Sequence, residues 1–176
     1  MAFITFNDLQ SQSITKAFSV NESLRSGEKF EKQIFLSYRR KDSQYVKPIV
    51  EILKRLGAKI YIDYLDESLP EKPNTETAAI LRDRIQKSDK FILMATPNSS
   101  ESKWIPWELG LGDGFIKYNN VAIMPITRNS NNWDEQVYYS IYGYIRKANS
   151  TDGSKFDYAI FYPDGSAEWL LNWIRK

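Results

Sequence analysis

Trp104-Ile-Pro-Trp-Glu108 is the segment of this chain whose residue types and spacing point most directly to chemistry. On a continuous helix, Trp104 and Glu108 lie four residues apart on one face. If Pro106 instead opens the helix, Glu108 falls in its first turn, near the positive end of the helix dipole. Either geometry puts a carboxylate and an indole together. The ordinary alternative makes Trp104 and Trp107 core anchors and Glu108 a solvated helix residue, and pattern alone favours it. Ser37-Tyr38-Arg39-Arg40 sets two guanidinium groups where an anion can bind. Its alternative is that both arginines are solvated or pair with Asp42 and loop acids. Asp63 and Tyr64 are candidate polar ligands for a sugar or a ring, against a cap or turn.

Composition narrows what these groups can do. The 176 residues contain no Cys and no His. This excludes Cys and His zinc sites, His- or Cys-based catalytic dyads and triads, disulfides and thiol redox chemistry. Catalysis must rest on carboxylates, hydroxyls, Lys, Arg or aromatic rings, and no metal site is expected. Apolar residues make up 42% and charged residues 26%, which suits a globular domain rather than a disordered chain. The net charge of +2 does not indicate a nucleic-acid binder, which needs clustered positive charge. No signal sequence, lipidation motif or span of roughly 18 apolar residues is visible, so a cytoplasmic protein without membrane contact is expected.

The elements that must position these residues follow from the hydrophobic pattern. Residues 1–30 are polar with scattered apolar side chains and read as an N-terminal arm that docks on the body or a neighbour, or as a loose tail; 31–176 form the folded domain. Strands are expected at 33–37, 58–63, 90–96 and 121–126, with a terminal hairpin of 141–147 and 156–162 around Asn149–Gly153. Asp42 or Ser43 is expected to cap a helix bearing Val46, Ile49, Leu53 and Leu56 and ending at Gly57. Pro48 implies that this helix starts late or kinks. A second helix opens at Thr75 or Thr77, a third spans 104–117, and Ser166 caps the last, which carries Trp169, Leu170, Trp173 and Ile174. Gly110, Gly112 and Gly114 do not form a phosphate loop, because they lie within or after a helix. The tyrosines at 138, 139, 142 and 144 read as a half-exposed strand.

Strands alternating with amphipathic helices imply a mainly parallel sheet covered on both faces. For five strands the flavodoxin-like order 2-1-3-4-5 leads, with its crevice beyond the carboxyl ends of strands 1 and 3. That rule gathers Ser37 to Arg40, Asp63 with Tyr64, and Thr96 to Glu108 around one cleft.

Four pieces in order across about 32–126 then carry a family resemblance. They are Ile34-Phe-Leu-Ser-Tyr38 with Asp42 following, Gly57-Ala-Lys-Ile-Tyr-Ile-Asp63, Ile85-Gln-Lys-Ser-Asp-Lys-Phe-Ile-Leu-Met94, and Ser102-Lys-Trp-Ile-Pro-Trp-Glu108. The chain resembles a TIR (Toll/interleukin-receptor) domain, and its tail is similar to stand-alone bacterial TIR proteins of Thoeris-type antiphage defence. The resemblance implies a flavodoxin-like α/β fold. It implies cleavage of the nicotinamide–ribose bond of NAD+, giving nicotinamide and ADP-ribose or a cyclised or conjugated product, with NAD+ as substrate and no cofactor. The alternative it leaves is a non-catalytic scaffold acting through TIR–TIR contacts. On this reading Glu108 is catalytic; Ser37, Tyr38, Arg39, Asp63, Tyr64 and Trp104 line the substrate. Self-association and a separate effector protein that reads the product are the partners implied. A phosphoacceptor receiver is poorly supported, since Ser37-Tyr38 and Thr96 stand where that class needs acids.

Overall fold

A computed structural model describes residues 2–11, 32–62, 74–129, 132–133 and 136–176. The strands are β1 (Ile4–Thr5), β2 (Gln33–Ser37), β3 (Lys59–Tyr61), β4 (Lys90–Ala95), β5 (Val121–Thr127), β6 (Gly143–Asn149), β7 (Phe156–Phe161) and β8 (Ala167–Trp169). The helices are α1 (Phe6–Gln10), α2 (Val46–Arg55), α3 (Thr75–Gln86), α4 (Ile105–Ile116) and α5 (Leu170–Arg175). The sheet runs β3-β2-β4-β5-β6-β7-β8. From β3 to β6 all pairings are parallel. Renumbered from β2, this is the expected order 2-1-3-4-5 of a flavodoxin-like α/β fold.

The sheet has eight strands rather than five. β7 and β8 extend it by antiparallel pairing. At the other end of the chain, β1 pairs in parallel with Ile126 and Thr127 of β5, and Ala2 bridges Lys147 of β6. The expected Ser166 cap is corrected here. Ser166 instead donates its amide and hydroxyl to Asp164 in a turn, and 167–169 form β8 before α5 begins. Three residues are too few to show a period, and pairing to β7 decides their state.

Alternation along the strands builds two cores. Ile34, Leu36, Ile92 and Met94 face one side with Ile49, Leu53 and Trp173 of α2 and α5. Phe35, Phe91, Leu93 and Ala95 face the other with Leu81, Ile85, Ile105 and Leu109 of α3 and α4. Every residue of β4 and β5 is buried, as parallel central strands require. α2 starts late, after a 3₁₀ turn at Arg40–Tyr45, so Pro48 falls in its first turn and needs no kink. Asn74 caps α3, its carboxamide and Thr77 bonding reciprocally. Among the described residues no helix is long and apolar enough to cross a membrane.

Candidate active site

Strand parity brings the first pair of site residues together. Ser37 ends β2 two residues after Phe35, so it projects to the same side, towards α3 and α4. There its hydroxyl donates to Glu108 Oε2 at 2.6 Å. Ser37 is 2% exposed and Glu108 6% exposed, so this is a charge-assisted bond away from bulk water. The solvated-helix alternative for Glu108 is thereby set aside.

Helix α4 holds that carboxylate by three local devices. Ser102 Oγ accepts from the amides of Trp104 and Ile105, two donors that a helix start leaves unpaired. Pro106 sits in the first turn, where its missing N–H costs nothing. Glu108 lies near the dipole's positive end, and its amide closes the first bond back to the Trp104 carbonyl at 2.8 Å. Trp104 is half-buried and meets Trp107 edge to face at 5.3 Å. Arg82 of α3 lies over the Trp107 ring. Both indoles thus pack at the α3–α4 side.

One turn beyond Glu108, Gly112 lets α4 lie close on the sheet. A Cβ there would come within 2.8 Å of the Phe91 ring, whereas Gly110 and Gly114 have open space. The glycine signal, weak as a phosphate loop, is therefore a packing device at its middle member.

Tyr38 goes elsewhere. It packs in the α2–α5 core and lines an open hollow with Arg40, Ser43 and Gln44. Arg39 is engaged by the loop after β4: Nη1 donates to the Asn98 carbonyl at 2.6 Å and Nη2 pairs with Glu101 at 3.0 Å. This is the pairing with a loop acid that the ordinary reading of the arginines expected. Arg40 is exposed. Asp63 and Tyr64, with the rest of the loop up to 73, lie outside the described residues.

A polar cluster escaped the sequence reading. Asp42 is 1% exposed; its Oδ2 accepts from Thr96 Oγ1 at 2.6 Å and its Oδ1 from Asn98 Nδ2 at 2.7 Å. Thr96 N donates to Ser99 Oγ, and Asn98 in turn carries Arg39. The cluster ties the turn after β2 to the turn after β4 at the carboxyl edge of the sheet. Its signal was present in an Asp five residues past Ser37 and a Thr-Pro-Asn-Ser run past β4, but the Asp reads as a helix cap, because local capping is the default use of such a residue.

The arrangement offers a buried, oriented carboxylate at the carboxyl edge of a parallel sheet, with indoles beside it and a braced polar rim. Such a group stabilises positive charge that develops on a bound molecule, and it needs no reorganisation to do so. Comparison with known proteins agrees with this architecture. The family model described as TIR domain matches residues 34–158. Over its whole length the chain is 27% identical to a Bacillus cereus (strain MSX-D12) protein, itself covered in full, named "Probable 3' cyclic ADP-D-ribose synthase ThsB'". It is 33% identical over 79 residues to a Cytobacillus dafuensis protein named "Putative cyclic ADP-D-ribose synthase TIR2"; that match takes in 43% of this chain and 21% of the relative. With the parallel order around β2 and the Trp-x-x-x-Glu helix start both in place, the chain belongs to the TIR domain family.

Proposed function

We propose that the protein cleaves the nicotinamide–ribose bond of NAD+ and releases nicotinamide and a cyclised ADP-ribose that serves as a signalling nucleotide in antiviral defence. The observation that carries this reading is Glu108, buried and held by Ser37 at the edge where α/β sheets bind ligands. The names of the two relatives give the reaction class.

Nicotinamide in NAD+ already bears positive charge. When the C1′–N bond breaks, the electron pair goes to the ring nitrogen and nicotinamide leaves neutral. No acid is needed for the leaving group, unlike in most glycosidases. The ribosyl oxocarbenium ion left behind is steadied by the Glu108 carboxylate. A hydroxyl or ring nitrogen of the same molecule then attacks C1′, any displaced proton passing to solvent, and the ring closes. Water capture would give ADP-ribose instead, so exclusion of water decides the product.

Ser37 is assigned as a positioning residue for Glu108, and Trp104 as a wall of the pocket. Tyr38, Arg39, Asp63 and Tyr64 are assigned to the substrate's surroundings, Arg39 at the diphosphate. Self-association and an effector that reads the nucleotide complete the proposal, with the protein acting in the cytoplasm.

Purified protein incubated with NAD+ is expected to release nicotinamide by chromatography, with a cyclic nucleotide identified by mass spectrometry. Glu108→Gln keeps the side chain's shape and removes its charge, and should lower the rate on the order of 10²–10³-fold. Turnover surviving Glu108→Gln and Glu108→Ala refutes the assigned role.

A further inference from the structure

Lys90 is the first residue of β4 and lies at the amino edge of the sheet. It pairs with Ile34, while Ser37 pairs with Leu93 three residues further on, so Lys90 lies about 10 Å back along the strand from Ser37 and, by alternation, on the opposite face of the sheet. It is 2% exposed, a burial that lysine rarely accepts. Its ammonium carries three donors. Asn120 Oδ1 takes one at 2.5 Å, and the Trp173 ring lies 4.7 Å from the nitrogen. Among the described residues no other hydrogen-bond partner completes its shell. The adjacent carboxylate, Glu168, is already occupied by the Tyr162 hydroxyl at 2.7 Å and by Lys176 at 2.6 Å.

This ammonium sits in the wall of a cleft of about 470 Å³, within the usual size range of small-molecule sites. Three further features of the cleft differ in chemistry. Lys176 adds a second cation at the rim. Tyr118 is 42% exposed, its ring steadied on Tyr142 and its hydroxyl donating to the Ile141 carbonyl, so it presents a fixed aromatic surface. Asp164 accepts from the amide and hydroxyl of Ser166, which hold its carboxyl below the usual range and keep it ionised. A buried cation with unused donor capacity takes an anionic oxygen, an exposed ring takes a planar base, and an ionised carboxylate takes vicinal hydroxyls. We infer that this cleft is a second ligand site, distinct from the Glu108 site, for a small phosphorylated nucleoside: phosphate on Lys90 and Lys176, ribose on Asp164, base against Tyr118. Burial lowers the pKa of Lys90, because the surroundings disfavour a cation that lacks a full shell; an arriving phosphate relieves that cost.

Calorimetric titration of the full chain with AMP tests the site, with adenosine and inorganic phosphate as separate arms. AMP is expected to bind saturably at one site, and each fragment at least about tenfold more weakly. Lys90→Met and Tyr118→Ala should each raise the Kd for AMP about tenfold or more, while Arg39→Met at the Glu108 site leaves it unchanged. If Lys90→Met fails to fold, Tyr118→Ala and Asp164→Asn at the exposed rim decide the matter. The site is refuted by absence of AMP binding at millimolar concentration, by phosphate binding as tightly as AMP, or by an affinity that follows Arg39→Met and ignores the cleft variants. Since AMP is not a substrate of the proposed reaction, loss of NAD+ cleavage and loss of this site are read independently.

Discussion

Replacing Ser37 by Ala removes one oxygen and tests whether the carboxylate of Glu108 is held or merely nearby. The bond is 2.6 Å long between residues 2% and 6% exposed, so water does not readily replace it. A hydrogen bond to a charged group in such a setting is worth about 1.5–3 kcal/mol. In the resting protein that loss lowers the melting temperature by about 3–12 °C for a chain of this size. In catalysis the same energy sets how firmly one Glu108 rotamer is favoured. Released, the carboxylate spends most of its time off the reacting centre, and kcat falls roughly ten- to hundredfold. Ser37 is covered and bonds to Glu108, so KM should move little. Steady-state kinetics with NAD+ and a calorimetric melt read both effects, and Ser37→Thr, which keeps a hydroxyl, should recover part of each. A Ser37→Ala protein with unaltered kcat and melting temperature would show that the hydroxyl positions nothing; a rise in KM with kcat intact would make Ser37 a substrate contact instead.

Gly112→Ala places a methyl within 2.8 Å of the Phe91 ring, which is fully buried and stacked on Phe35 at 5.5 Å. Overpacking of about 1–3 kcal/mol should lower the melting temperature and shift α4 enough to reduce turnover, whereas Gly110→Ala and Gly114→Ala, with open space, should stabilise by up to about 1 kcal/mol each in the same melt. Asp42→Ala removes the buried acceptor of both the Thr96 hydroxyl and the Asn98 carboxamide, and an unfolding titration in urea should show a loss of about 3 kcal/mol. Asp8 is partly buried, which opposes its charge. The Lys147 ammonium at 2.5 Å and the Thr5 amide and hydroxyl outweigh this and lower its pKa. Because the folded pKa is depressed, the pair stabilises fully above the unfolded pKa near 3.8 and is lost as pH falls through the folded value. The stability gap between wild type and Lys147→Met, measured in urea, should therefore be wide at neutral pH and close in acid.

The runs at 33–37, 90–95 and 121–127 were legible because fully buried parallel strands are continuous apolar stretches, and the order around them follows from right-handed crossovers. The pairing of Ile4 and Thr5 with Ile126 and Thr127 was not, because two residues carry no period and the partner is more than a hundred positions away. In the site, the Trp104–Glu108 spacing was visible, and strand parity explains why Ser37 meets Glu108 while Tyr38 turns to the opposite core. Asp42 looked like a cap, since its true partners, Thr96 and Asn98, are brought beside it only by the β2–β4 pairing. Gly112 was conspicuous as a residue but mute as to purpose until Phe91 lay under it.

The placement of β1 has a consequence for how the protein is made. Ile4 and Thr5 leave the ribosome more than a hundred residues before Ile126 and Thr127, on the order of ten seconds at ordinary rates of synthesis. During that interval the sheet can assemble from β2 to β4 without them. The seam beside β5 cannot close before β5 itself is made, so β1 waits for its native partner long after it has been translated.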